Sequence, residues 1–337
     1  MRVALDAMGG DHAPAPIVAG AVQAVAEIPD LSVVLVGDQA QLDPLLAAAG
    51  PVPPGRLEVF HASQSVDMRE KPVDALRKKP DSSIVRSWQL LAEKKVDGLV
   101  SAGNTGAVVA GGLRLRRFLK CVHRPGIATV MPTAKGRCVI LDVGANVFPQ
   151  PRHLLEYGVM GSVFAKHMLG CDAPRIGLLN VGEEEGKGHE LVQQTYALFR
   201  GGPLADRFVG NIEGRDIHRG AVDVVVTDGF TGNVVLKLSE GLFEFVMGMV
   251  NQEVVGALDA ERDRAVAAVK GLLGRYHYSA FGGAPLLGVD GVCIICHGSS
   301  KERAIANALG AAAQDVRVRL NEKIVAELEA LPAADDD

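Results

Sequence analysis

Five short stretches hold most of the side chains able to do chemistry. They are Asp6-Ala7-Met8-Gly9-Gly10-Asp11-His12, Ser101-Ala102-Gly103-Asn104-Thr105-Gly106, a loop over 180–189, Thr227-Asp228-Gly229-Phe230-Thr231-Gly232-Asn233 and His297-Gly298-Ser299-Ser300-Lys301. Each follows a short apolar run, and several open a helix. Small, polar, glycine-rich turns of this kind point backbone N–H groups and helix N-termini at an anion. Basic side chains in them are few, chiefly Lys187 and Lys301. The joint reading is a site for phosphate or another small anion, built mainly from backbone and hydroxyl donors on one sheet edge. Any one such turn is routine in α/β proteins and has no necessary ligand role.

Within these turns, Lys187 lies between Gly186 and Gly188, where the backbone can approach a ligand closely. Glu183, Glu184 and Glu185 precede it and His189 follows, so a solvated charged loop is the competing reading. Asn233 sits where its turn enters a helix and could equally be a plain N-cap. Asp6 and Asp11 could bind a cation, orient a lysine or simply shape a turn. Nucleotide and hydrolase signatures fail on inspection. Gly182-x-x-x-Gly186-Lys187-Gly188 is one residue short of a P-loop and has Gly188 where Ser or Thr is needed. There is no G-x-G-x-x-G after the first strand, no G-x-S-x-G and no H-E-x-x-H.

The five cysteines, Cys121, Cys138, Cys171, Cys293 and Cys296, form no disulfide framework. Cys293-Ile-Ile-Cys296-His297 matches the covalent haem pattern, but that chemistry belongs to exported proteins, and Val292–Ile295 reads as a buried strand. No second Cys/His pair stands at zinc-finger spacing. No metal site and no cofactor are expected. The formal net charge of −5 argues against a nucleic-acid binder. The start of the chain has no secretory signal, and no apolar run reaches the roughly 18 residues of a membrane span. A cytoplasmic protein is expected.

The elements that position these turns follow from hydrophobic pattern. Continuous apolar runs predict strands at 3–6, 31–36, 57–60, 98–101, 127–131, 138–142, 175–179, 222–226 and 292–295. Helical spacing predicts helices at 17–26, 82–94, 151–169, 190–197, 233–255, 262–273 and 301–331. Strand–helix alternation means an α/β fold with a mostly parallel sheet and helices on both faces. Hydrophobic residues are 48% of the 337, enough for a sizeable core, and no linker separates independent domains, so one domain over 1–337 is expected. The tail at 333–337 is acidic and expected to fray. At 262–276, Ala265, Val266, Val269, Leu272, Leu273 and Tyr276 share a stripe, with Arg262, Arg264, Lys270 and Arg275 mostly off it. Such a basic amphipathic helix suits a membrane surface, the protein body or a second subunit.

From residue 1 to about 331, the chain resembles the bacterial phosphate acyltransferases of phospholipid synthesis. Asp6-Ala7-Met8-Gly9-Gly10-Asp11-His12-Ala13-Pro14 is that family's hallmark, and it is joined by Ser101-Ala102-Gly103-Asn104-Thr105-Gly106-Ala107, Asp142-Val143-Gly144-Ala145-Asn146, Leu178-Leu179-Asn180-Val181-Gly182-Glu183-Glu184, the 227–233 turn and His297-Gly298-Ser299-Ser300. The resemblance implies a fold like the isocitrate/isopropylmalate dehydrogenases and phosphotransacetylases. It also implies a homodimer and a helical hairpin, about 241–274 here, attaching peripherally to the cytoplasmic membrane near the downstream glycerol-3-phosphate acyltransferase. That hairpin reads as mostly Ala and Val, so weak, anionic-lipid-dependent binding is expected.

The implied reaction is transfer of an acyl group from acyl carrier protein to inorganic phosphate. Phosphate needs positioning more than activation. Asn104, Thr105, Gly106, Ser299 and Ser300 are the expected phosphate donors, with Asp6, Gly9 and Gly10 beside them. Lys187 and Asn233 are the expected oxyanion donors, and His189 is a candidate acid for the leaving thiolate. Arg262, Arg264, Val266, Val269, Lys270, Leu272, Leu273 and Arg275 are expected to meet the acidic carrier protein, lipid or both. Two rival readings are a metal- and NAD-dependent dehydrogenase of the same fold and a non-catalytic membrane scaffold.

Overall fold

The computed structural model describes residues 1–115, 117–276 and 282–331. The expected frayed tail, and the side chains of Leu272, Leu273, Arg275 and Tyr276, lie outside the described residues. The strands are β1 (Arg2–Asp6), β2 (Ser32–Gly37), β3 (Leu57–His61), β4 (Gly98–Ser101), β5 (Gly126–Thr133), β6 (Gly136–Leu141), β7 (Ile176–Leu179), β8 (Phe208–Ile212), β9 (Val224–Val226), β10 (Ala284–Leu287) and β11 (Val292–Ile295). The helices are α1 (Ala15–Glu27), α2 (Gln39–Ala48), α3 (Pro72–Lys78), α4 (Ser83–Ala92), α5 (Thr105–Leu115), α6 (Pro151–Met168), α7 (Glu190–Gly201), α8 (Gly214–Arg219), α9 (Gly229–Met249), α10 (Arg262–Tyr276), α11 (Glu302–Arg317) and α12 (Leu320–Glu329).

The strands form one twisted succession, β3-β2-β1-β4-β11-β10-β5-β6-β9-β7-β8. Strands β4, β7, β9 and β11 are buried along their whole length because both faces are covered. On one face α1 and α11 pack over β1, β4 and β11, and α6, α7 and α12 cover the other half around Tyr157, Phe199 and Val224. On the opposite face α4 and α5 bury Trp88, whose indole N–H donates to the Val108 carbonyl at 3.0 Å. Gly111 and Gly112 make room for that ring: a side chain at Gly111 would meet Trp88 at 2.4 Å.

Strand direction corrects the expectation of one shared sheet edge. β1, β4 and β11 are parallel, so their turns leave together. Three antiparallel pairings follow, β11–β10, β10–β5 and β5–β6, so that β6, β9 and β7 run the opposite way. The turns after β7 and β9 therefore belong to the other edge.

Two strands, β8 and β10, were not expected, nor were the short helices α2, α3 and α8. The helix expected over 301–331 is two helices, broken at Arg319, which adopts a left-handed conformation (φ 53°). The hairpin segment consists of α9, a π-helical continuation over Val250–Val255, and α10. Its expected Ala/Val character is also corrected. Leu242, Phe245 and Met249, within the segment on α9, are exposed, because their stripe turns away from the sheet. Val266 and Val269 on α10 are half-buried, whereas Arg262, Arg264 and Lys270 are exposed. No described helix is long and apolar enough to cross a membrane.

Candidate active site

Asp228 decides what Asn233 can do. Its carboxylate accepts from the N–H groups of Phe230 and Thr231, both at 2.9 Å, and from the Thr231 hydroxyl at 2.7 Å. Asp228 is thus the N-cap of α9. Asn233 lies one turn inside the helix, with an exposed side-chain amide that makes no hydrogen bond among the described residues. The capping alternative for Asn233 is removed.

The helix start is clamped by glycines. A Cβ on Gly232 would stand 1.9 Å from the Asp142 carbonyl oxygen, and one on Gly229 2.7 Å from Asp142 Oδ2. Asp142 itself is fully buried and holds the 142–146 loop closed. Its Oδ1 accepts from the N–H groups of Ile127 (3.0 Å), Gly144 (3.0 Å) and Ala145 (2.9 Å), and its Oδ2 from Asn146 N–H (2.7 Å). Burial raises its pKa, opposed by those four bonds. Asn146 ties the loop onward through its amide to Tyr157 Oη at 2.7 Å. Two of the family-like motifs, 142–146 and 227–233, are therefore one packing unit that aims Asn233.

Across the sheet, the turns after β1, β4 and β11 interlock. A Cβ on Gly9 would lie 2.7 Å from Gly103 N, and the Asp11 N–H donates to Gly298 O at 2.8 Å. Gly10 has φ 119°, a conformation that favours glycine. Asp6 is buried beneath them, accepting from the Ser101 hydroxyl at 2.7 Å and from Met8 N–H at 3.3 Å; burial pushes its pKa up. The Asn104 side chain is occupied. It caps α5 through Ala107 N–H (3.0 Å), and its amide donates to the carbonyls of Met68 (3.1 Å) and Glu70 (3.0 Å), fixing the 67–70 loop. Gly106 abuts Pro72, where a Cβ would lie 2.5 Å from Cγ. Asp6, Gly9 and Asn104 border a void of only about 10 Å³, the space of about one water.

The two assemblies meet at a larger cavity, about 140 Å³, whose walls include Thr105, Thr129, Asn233, Lys237, Cys296 and His297. Thr105 is exposed at the N-terminus of α5. His297 Nδ1 accepts from the Ser299 hydroxyl (2.8 Å) and N–H (3.2 Å), so a neutral ring carries its proton on Nε2. Ser299 is exposed and Ser300 buried. Lys237 pairs with Glu240 at 2.8 Å. The Cys296 thiol is buried, which pushes its pKa up to about 12 and makes it a poor nucleophile. The arrangement offers amide, hydroxyl and imidazole donors around a small acceptor-rich ligand.

Lys187 and His189 stand on the other loop. Asn180 Nδ2 donates to the Lys187 carbonyl at 3.0 Å, Gln193 Nε2 donates to Gly186 O (2.9 Å) and Gly188 O (3.0 Å), and Gly188 has φ 85°. The Lys187 side chain is exposed, and His189 is the first-turn cap residue of α7. Neither borders the Asn233 cavity. His297, Lys237 and Thr129 do; the sequence placed His297 in one of the five turns but gave it no role in the reaction, and did not point to Lys237 or Thr129. The position of His297 just after a buried strand was the available signal.

Comparison with known proteins agrees with this architecture. The family described as "Fatty acid synthesis protein" matches residues 1–323. The chain is 48% identical over 319 residues to a phosphate acyltransferase of Heliobacterium modesticaldum, covering 94% of each chain. It is 46% identical over 333 residues to one of Pelotomaculum thermopropionicum, covering 98% of this chain and 96% of that one. Among solved structures, a phosphotransacetylase from Streptococcus pyogenes superposes with a TM-score of 0.64 at 17% identity, covering 94% of each chain, which shows a shared fold. The chain belongs to the fatty acid synthesis protein family and, with relatives of this identity along nearly its whole length, is an acyl-transferring enzyme.

Proposed function

We propose that the enzyme transfers an acyl group from the thioester of acyl carrier protein to inorganic phosphate, giving acyl phosphate and the free carrier thiol for membrane phospholipid synthesis. The observation that carries this is the cavity shared by Thr105, Asn233 and His297, whose donors come from three separate elements, with the Asn233 amide unused by the fold. The names of the relatives supply the phosphate acceptor.

A phosphate oxygen attacks the thioester carbonyl carbon. A C–O bond forms, the carbonyl electrons move to oxygen, and collapse of the tetrahedral intermediate breaks the C–S bond and expels the thiolate. Thr105 and the free N–H groups at the start of α5 hold the phosphate, while Ser299 fixes the His297 ring and Asn104 and Ser300 shape the cradle. Asn233 donates to the oxyanion, a role typically worth about 3 kcal/mol of barrier. His297 Nε2–H is a second donor to the oxyanion, and the proton that the attacking phosphate loses as the acyl phosphate forms passes to the thiolate. Lys187 and His189 would act from the loop after β7 once the carrier protein brings its pantetheine arm between the two assemblies. The exposed Arg262, Arg264 and Lys270 suit the acidic carrier protein or anionic lipid. The exposed apolar stripe of α9 suits a homodimer or peripheral contact with the cytoplasmic membrane, near the glycerol-3-phosphate acyltransferase that would consume the product.

The test mixes the protein with palmitoyl-acyl carrier protein and phosphate, following the free thiol and hydroxylamine-trapped acyl phosphate. Asn233→Ala should lower kcat/KM by about 100-fold with its melting temperature unchanged. Loss in Lys187→Ala as well assigns the β7 loop to the same site; unchanged turnover in that variant removes Lys187 from the chemistry. Absence of phosphate-dependent release from the wild type overturns the reaction.

A further inference from the structure

A second cavity, of about 200 Å³, lies on the far side of the sheet from Asn233. Val130, Phe164, Met168, Leu169, Pro285 and Ile294 are among its walls, and among the described residues its charged lining is Arg137 and Asp315. Two residues, Val130 and Gly283, border both this cavity and the Asn233 cavity. Strand pairing explains the connection. β10 meets β5 only at Leu286–Ile127 and Leu287–Gly126, and its first two residues, Ala284 and Pro285, pair with β11 instead. β5 meanwhile continues to Thr133 along β6. Beyond Ile127 the two strands no longer pair, which leaves room for a slot between them. Gly283 stands at its edge with φ 85°, where a Cβ would come within 2.8 Å of Ile294.

The two ends of this passage differ in chemistry. Hydroxyl, amide and imidazole groups cluster at the Asn233 end, whereas aliphatic and aromatic side chains dominate beyond Val130. A long-chain thioester has the same polarity, with a polar reacting head and a hydrocarbon tail that gains from leaving water. We propose that the slot between β5 and β10 passes the acyl chain of the thioester from the Asn233 cavity into the cavity beside Met168, which thereby sets acyl-chain preference; this rests on the acyl-transfer reading above. Met168 ends α6, is half-buried and borders the second cavity but not the Asn233 cavity, so it probes the chain path without touching the reacting groups.

The experiment measures kcat/KM with butyryl-, octanoyl- and palmitoyl-acyl carrier protein for the wild type, Met168→Trp and Met168→Ala. Each methylene withdrawn from water contributes about fourfold. An indole that excludes about two or three methylenes should lower the palmitoyl-to-butyryl ratio roughly 15- to 60-fold. Met168→Ala, which cannot overfill the cavity, should raise that ratio and decides the matter if the tryptophan variant fails to fold. Ratios unchanged in the folded variants, or equal losses at every chain length, overturn the chain path while leaving acyl transfer in place. No phosphate-dependent transfer from any chain by the wild type removes the acyl-transfer reading and the proposal with it.

Discussion

Asp315 provides a direct test of how burial is balanced in this fold. It lies on α11, is 3% exposed, and its Oδ1 has no hydrogen-bond partner among the described residues. Burial raises its pKa from 3.8 to about 7. Lys94, Asp97, Asp290, Arg319 and Glu322 border the cavity on one side of it and Arg137 the cavity on the other. Because the folded protein holds the proton that the unfolded chain releases, this group's stabilising contribution is complete below about pH 4. It is lost as the pH rises to about 7 and is flat beyond. That rise corresponds to roughly 4 kcal/mol in total, of which about 2 to 3 kcal/mol falls between pH 5 and pH 8. Asp315→Asn keeps the shape and removes the titration, at a pH-independent cost of about 1–3 kcal/mol for the new buried amide. Urea unfolding of both proteins at pH 5, 6, 7 and 8 should show the variant gaining about 2 to 3 kcal/mol on the wild type across the series. A difference that stays constant from pH 5 to pH 8 would refute the reasoning and mean that Asp315 is solvated or paired in solution.

Other consequences are equally checkable. Gly232→Ala puts a methyl group within 1.9 Å of the Asp142 carbonyl, so α9 must lift from the 142–146 loop; a loss of about 3 kcal/mol in urea unfolding, with acyl transfer falling alongside, is expected. Burial pushes the Cys138 and Cys296 thiols up to about 12 and Cys293 higher still, so all three should resist iodoacetamide at pH 8 in the folded protein while the exposed Cys121 reacts, as followed by mass spectrometry; labelling of the three at the rate of Cys121 would refute their burial. Because no acyl-enzyme is needed, Cys296→Ala should keep kcat within about threefold of the wild type, and a loss on the order of 100-fold in a folded variant would refute direct attack by phosphate.

What could be read from sequence depended on how loudly each residue signals its backbone. Val292–Ile295 and Gly98–Ser101 are uninterrupted apolar runs between turn residues, and they form the strands expected. β8 escaped because Gly210 and Asn211 interrupt its pattern, Asn211 serving instead to hold the Glu184 carbonyl at 2.9 Å. β10 escaped because Ala-Pro-Leu-Leu is short and carries a proline, tolerated where that strand changes partners. α2 contains Pro44, and the break at Arg319 lacks the glycine that ordinarily marks such a turn. At the site, Asn233 was legible because its glycine-rich turn is local. The convergence of Thr105, Thr129 and His297 on it was not, since it is produced by three successive strand reversals that leave no mark in any one segment. His297 was obscured further by the two cysteines before it, whose spacing resembles a haem motif although they are simply small core residues.

The place of β11 bears on how the chain is made. This strand, among the last 50 or so residues, fills the gap between β4 and β10, and β10 in turn bridges to β5. A ribosome that has released only the first 280 residues therefore presents two unsatisfied strand edges, β4 and the lower end of β5, each apolar and ready to pair with another chain. Closure waits for the final segment to arrive, and α11 then seals the surface by packing on α1, nearly 300 positions earlier in the sequence. The fold is thus fastened by segments nearly 300 residues apart, and a growing chain, or one stopped short of β11, is the form of this molecule most exposed to aggregation.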